Sequence, residues 1–170
     1  MDKFKNKLKT YTLIGTIFVW ITGSLAHFVY DWSGRQFLPG LFFPVNESVW
    51  EHMKLVFFPM SLYGWYMNKK LSPLYPCIGS SLLSGILAGT FLIPVCFYTY
   101  SGILGRSITF LDILTFLLCV LAAFGIVYRS TLSCRFNHGL RLWKILALLT
   151  AAAFFLFTYL PPDLGIFRTP

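Results

Sequence analysis

At 170 residues, with 56% hydrophobic, 19% aromatic and only 12% charged residues and a mean hydropathy of +0.68, the chain is too apolar for a water-soluble surface, so a lipid bilayer is its solvent and first partner. The net charge of +8 does not mark a nucleic-acid binder, because the basic residues sit at the ends of apolar runs, where membrane topology places them. Cys77, Cys96, Cys119 and Cys134 make no C-x-x-C pair and lie in or beside apolar runs. Neither a disulfide framework nor a thiolate zinc site is expected from them, and they read as small apolar fillers.

Met1 to Thr10 carries Lys3, Lys5, Lys7 and Lys9, and the run 11–30 follows with no charge but that of His27. At about 1.5 Å per residue it spans the roughly 30 Å hydrocarbon core. Ser24-Leu25-Ala26 offers the small residues of a signal cleavage site, but the run exceeds a signal core and more spans follow, so an uncleaved helix is expected. Asp31 to Phe43, with Trp32, Ser33-Gly34 and Pro39-Gly40, reads as a loop at the membrane surface. The second span, 46–67, is polar at its start and apolar beyond, with a kink expected at Pro59. It begins between Asn46 and Val49, capped by Ser48 or Asn46.

Lys69, Lys70 and Ser72-Pro73 close that helix. The third span, 77–98, carries Ser81, Gly85 and Gly89 at four-residue spacing, a stripe suited to close helix packing, and Pro94 as a second kink site. Thr99 to Ser107 reads as a turn. The fourth span, 109–128, opens on Thr109-x-x-Asp112, a capping-box pattern. A basic connection with Arg129, Arg135, His138 and Arg141 leads to the fifth span, 140–160, and Pro161-Pro162-Asp163 makes a stop and turn. His138 reads as solvated. Trp20, Trp32, Trp50, Trp65 and Trp143 read as interface anchors or packing residues. The expected fold is all-α: one polytopic membrane helix bundle of about five transmembrane helices over 1–170.

With the N-terminus in the cytoplasm, the inner segments hold Lys3, Lys5, Lys7, Lys9, Lys69, Lys70, Arg129, Arg135, Arg141 and Lys144, ten of the fourteen basic residues. Only Arg35, Lys54, Arg106 and Arg168 fall outside. The bias predicts a multi-pass protein of the plasma membrane, N-terminus inside and C-terminus outside. The acids sort the other way: Asp31, Glu47, Glu51, Asp112 and Asp163 fall at the outer ends of spans, as do His27 and His52.

The polar focus is Pro44-Val45-Asn46-Glu47-Ser48-Val49-Trp50-Glu51-His52-Met53-Lys54. Ser48-x-x-Glu51 is a capping box, which explains both acids without a ligand. The i, i+4 spacing of Glu47 and Glu51 sets like charges on one helix face, a repulsion that a shared proton, a cation or Lys54 relieves. His27 and Asp31 share the same spacing on the first helix, and Asp31 at a helix C-terminus calls for a positive partner such as His27 or Arg35. Glu47, Glu51 and His52 are the candidate catalytic residues. His27, Asp31, Glu51 and His52 are the candidate ligands of a divalent metal such as zinc. The spacing matches neither H-E-x-x-H nor H-x-x-E-H. The first two helices are expected to meet at the outer membrane edge, with His27, Asp31, Glu47, Glu51 and His52 in one pocket.

His27-x-x-Tyr30-Asp31-x-x-Gly34, the run from Pro44 to Lys54 with Phe58-Pro59, Tyr100-Ser101-Gly102-Ile103-Leu104-Gly105 with Asp112-Ile113, and Pro161-Pro162 with Phe167 together resemble a family of small integral membrane proteins of Gram-positive and related bacteria, classed as a domain of unknown function. The resemblance covers nearly the whole chain and implies no activity. Relatives look to carry F-x-D-P after the paired prolines, where this chain has Thr169 in place of the aspartate. Three function classes follow from the residues: a membrane-embedded, metal-assisted hydrolase acting on a lipid or envelope substrate from the outer side; a permease or ion-coupled carrier; and a non-catalytic subunit, alone as a homo-oligomer or with another membrane partner.

Overall fold

The computed structural model describes residues 2–134 and 139–169, so Arg135 and His138 lie outside the described residues. Among the described residues six α-helices follow one another: α1 Asp2–Trp32, α2 Phe37–Phe42, α3 Val49–Leu71, α4 Ile78–Leu104, α5 Thr109–Ser133 and α6 Leu140–Tyr159, with a short 3-10 turn Gly165–Phe167 after them. Among the described residues there is no strand. Four helical stretches are long and apolar enough to cross a membrane: Lys5–Trp32 of α1, and α4, α5 and α6. The central helix α3 is not one of them, because Glu51, Lys54, Lys69 and Lys70 interrupt its apolar run. The expectation of five spans therefore rests, for α3, on its place in the bundle.

That place is central: α3 packs against α1, α4, α5 and α6 as well as the C-terminal turn, and α1 and α4 each also pack on α5. The core threads between these four helices through Val56, Met60 and Met67 of α3, Ile78 of α4, and Cys119, Val120, Ala123 and Val127 of α5, each wholly buried. The helix α6 lies outside them and turns Leu148 and Leu149 outward. The hydroxyls of Thr12, Thr16, Thr22, Ser101, Thr131 and Thr150 donate to the carbonyl four residues earlier, so they are satisfied without water.

The small-residue stripe of α4 packs on α5. A Cβ at Gly85 would lie 2.8 Å from the carbonyl oxygen of Ala123, and one at Gly89 would lie 2.6 Å from the Ala123 methyl. The Ala123 carbonyl is backbone and cannot give way, so Gly85→Ala should cost about 1–3 kcal/mol by overpacking. Thermal unfolding in detergent checks this; an unchanged midpoint would mean that the two helices part at no cost.

Two expectations about elements are corrected, and one helix proves longer than its apolar run. The segment 31–43 is not all loop: Phe37-Leu38-Pro39-Gly40-Leu41-Phe42 forms α2. A proline at the third position of a helix forfeits no hydrogen bond, since the first amides have no intrahelical acceptor. The turn expected at 99–107 shrinks to 105–108, because α4 runs on to Leu104 and stops where Gly105 takes a left-handed φ of 69°. The N-terminal lysines ride on α1 itself, which starts at Asp2. At the other helix ends, α3 starts within the expected window with Ser48 as its N-cap, and Trp65 sits exposed with the Lys69 ammonium 3.8 Å from its ring centroid.

The cysteines need a third correction. Cys77 and Cys134 form a disulfide across 57 residues, while Cys96 and Cys119 are free thiols. The close α4–α5 packing lays those helices antiparallel, which brings the start of one against the end of the other. The disulfide therefore marks one end of the bundle. The opposite end gathers the close of α1, the start of α3, the close of α4 and the start of α5, and it is there that the polar focus lies.

Candidate metal centre

Each side chain of the focus is aimed by a local rule. The amide of Ser48 donates to Asn46 Oδ1 at 2.9 Å, a side-chain turn that holds Glu47 in the bend just ahead of α3. Ser48 Oγ then accepts the Glu51 amide at 3.3 Å and caps the helix. Only half of the capping box forms: Glu51 does not return to the Ser48 amide but accepts the Val45 amide on Oε2 at 3.0 Å.

The five residues expected in one pocket divide between three places. Glu47 reaches both histidines: His27 Nε2 lies 3.4 Å from Oε1 and His52 Nε2 lies 3.5 Å from Oε2. One ligand atom from each of His27, Glu47 and His52 lies within 4.8 Å of the others. The imidazole rings are 5.3 Å apart, centroid to centroid. His52 Nδ1 lies 2.9 Å from the Ser48 carbonyl oxygen, so the proton belongs on Nδ1 and the lone pair on Nε2, facing Glu47. A carbonyl behind a histidine in this way is the usual support of a metal ligand.

Glu51 is elsewhere. It is 2% exposed and Lys54 is wholly buried. The Lys54 ammonium donates to Glu51 Oε2 at 2.7 Å, to the Gly40 carbonyl at 3.0 Å and to Thr158 Oγ1 at 2.5 Å. The ion pair thus ties α3 to α2 and to the end of α6, where Thr158 also lies 3.2 Å from Glu51 Oε1. Of the reliefs open to Glu51, the one realised is Lys54. Asp31 takes the third place: Arg35 Nε donates to its Oδ1 at 2.8 Å at the exposed end of α1. That hydrogen bond, and then the charge of Asp31, raise the Arg35 pKa above its ordinary value. The positions of Asp31 and Glu51 among the metal ligands, and of Glu51 among the catalytic residues, are thus not supported by the geometry: each carboxylate has a basic partner of its own.

Beside the cluster lies a cavity of about 200 Å³ lined by Glu47, Val49, His52, Leu55, Ile93, Phe97, Ser107, Asp112, Thr115 and Phe116. Its lining holds two carboxylates and no lysine or arginine. Asp112 is not the helix cap that its sequence pattern suggests: the cap position is Ile108, with no side-chain hydrogen bond. The Tyr100 hydroxyl of α4 donates to Asp112 Oδ1 instead. Asp163 accepts from Arg168 Nη2 at 2.6 Å in the C-terminal tail, whose Phe167 packs on Trp50 at 4.9 Å between centroids.

A family model described as a family of unknown function, DUF6512, matches residues 1–170. No curated protein and no solved structure matches the chain.

Proposed function

The chain belongs to that family of unknown function, so its chemistry has to be argued from the site, and we propose that it is a membrane-embedded hydrolase whose divalent metal, of zinc type, is held by His27, Glu47 and His52. The observation that carries this reading is the convergence of the three ligand atoms within 4.8 Å of one another. Two neutral imidazoles and one carboxylate are a common ligand set of catalytic zinc, with a further position left for water or substrate. Closing on an ion about 2.0–2.2 Å from each atom takes a movement of roughly an ångström, and Glu47, at 67% exposure, is free to make it. The His–Glu separations of 3.4 and 3.5 Å exceed the roughly 2.7–2.9 Å of a charge-assisted hydrogen bond, which favours an ion between the groups over a simple ion pair.

The surroundings support hydrolysis over transport. The cavity beside the cluster is polar at Glu47, His52, Ser107 and Asp112 and apolar at Leu55, Ile93, Phe97 and Phe116, which suits an amphiphile of lipid or envelope origin. Past that floor Val56, Met60, Val120 and Ala123, each wholly buried, pack the bundle interior. A bound zinc ion would polarise a carbonyl and bring the pKa of its water down to about 7. Elemental analysis of protein purified without a metal-affinity step should find about one divalent ion per chain. Failure to hold zinc or cobalt after equilibrium dialysis would overturn the reading.

The topology belongs to the same proposal: α3 is the fifth span, made tolerable in lipid by the mutual neutralisation of Glu51 and Lys54. The charge bias sets the disulfide end in the cytoplasm and the His27–Glu47–His52 end outside the plasma membrane. The cytosol keeps thiols reduced, so the Cys77–Cys134 bond would open there to two thiols in growing cells, and a bond that persists would favour the opposite orientation. A membrane-impermeant maleimide should leave the exposed Cys134 of intact, reductant-treated cells unlabelled, and labelling there would reverse the orientation.

A further inference from the structure

The carboxylate of Asp112 is not accounted for by the helix that carries it. It caps nothing, and among the described residues no lysine, arginine or histidine pairs with it. Its Oδ1 is held by the Tyr100 hydroxyl, which fixes the group across the α4–α5 turn, and its other oxygen has no partner among the described residues. The same cavity is lined by Glu47 and His52. A half-buried carboxylate held by one oxygen, lining the same cavity as two candidate metal ligands and with no lysine or arginine among that lining's described residues, is the arrangement of a proton acceptor.

We propose that Asp112, positioned by Tyr100, faces the open coordination position of the ion and is the proton acceptor of this centre, acting on an uncharged acyl ester or amide whose apolar part lies against Ile93, Phe97 and Phe116. The proposal rests on the metal reading above. Water at the open position gives one proton to Asp112 as its oxygen bonds to the acyl carbon. The bond from that carbon to the leaving oxygen or nitrogen then breaks, and Asp112 passes the proton to the leaving atom. One water is consumed, no oxidant or reductant takes part, and the carboxylate is regenerated. The cavity lining carries two carboxylates, Glu47 and Asp112, and among the described residues no lysine or arginine to bind an anionic group, which is why the substrate is uncharged.

The test uses the full chain in detergent, loaded with cobalt and followed by its visible spectrum. Two ligands probe the open position: azide, an anion with no proton to give, and acetohydroxamic acid, which sheds a proton as it binds. Asp112→Asn should leave the cobalt content unchanged, bind azide roughly tenfold tighter because a facing negative charge is gone, and bind acetohydroxamic acid roughly tenfold more weakly because the acceptor is gone. Asp163→Asn should change neither. Tyr100→Phe keeps the carboxylate but lets it swing away from the ion, which weakens both its repulsion and its proton acceptance, so both ligands should shift in the same senses by less, and it decides the matter if Asp112→Asn does not fold. Loss of cobalt from Asp112→Asn would make Asp112 a ligand and overturn the proposal, as would both affinities moving in one direction or not at all. A parent protein that takes up no cobalt would instead fail the metal reading itself, so the two failures are told apart.

Discussion

Lys54→Met is expected to lower the stability of the protein by about 3–5 kcal/mol, the cost of leaving one member of a buried ion pair without the other. The ammonium is wholly buried and serves three acceptors on three elements: Glu51 on α3, the Gly40 carbonyl on α2 and Thr158 on α6. Methionine keeps the volume of the side chain but strands the Glu51 carboxylate, which retains only the Val45 amide and the Thr158 hydroxyl. It also leaves the Gly40 carbonyl without a donor. The double variant Glu51→Met/Lys54→Met removes both charges and should regain much of the loss, since a well-packed apolar pair often matches a buried ion pair. Thermal unfolding of the two single variants and the double variant gives the coupling. A Lys54→Met protein as stable as the parent would show that water reaches the pair and that α6 is held by other contacts.

The helices were legible because hydropathy alone locates long apolar runs, and the errors cluster where local chemistry is read without its neighbours. Pro39-Gly40 looks like a turn, yet Gly40 is small because α2 lies close against Val45 and Tyr30, and its carbonyl is an acceptor for Lys54. Thr99 to Ser107 looks like a turn, yet α4 continues through it to Leu104 and carries Tyr100 to Asp112. The disulfide was missed because the cysteines were weighed by local spacing. The signal was present in a different form: a small-residue stripe on α4 implies a tight hairpin with the next helix, and Cys77 and Cys134 stand at matching ends of that hairpin.

The candidate site was half legible for a related reason. Grouping Glu47 with Glu51 assumes that both lie on one helix, where i and i+4 share a face. The helix begins at Val49, after the Ser48 cap, so Glu47 belongs to the bend before it and turns to His27 and His52, while Glu51 turns inward to Lys54. The capping residue that the sequence does reveal is what separates the two acids. Thr158 carries no comparable signal, since 104 residues separate it from Lys54 and only the placement of α6 brings them together.

The separation makes an opposite pair of outcomes the sharpest check on the site: Glu47→Gln should abolish metal binding with little loss of stability, and Glu51→Gln should do the reverse. Glu47 is 67% exposed and its partners are two imidazoles, so exchanging its carboxylate for an amide costs the fold about 0.5 kcal/mol or less. The same exchange removes the anionic ligand, and affinity for zinc should fall by more than about a hundredfold, since the loss of supporting residues alone costs roughly tenfold to a hundredfold. Glu51→Gln keeps His27, Glu47 and His52 in place, so metal content should hold. It leaves the Lys54 ammonium buried without a counter-charge, at a cost of about 3–5 kcal/mol. His52→Ala should follow Glu47→Gln in losing metal. Equilibrium dialysis against zinc and thermal unfolding on the same preparations separate the two effects. If Glu51→Gln empties the site as Glu47→Gln does, the buried ion pair and the metal centre are one unit, and the ligand set must be drawn again to include Glu51.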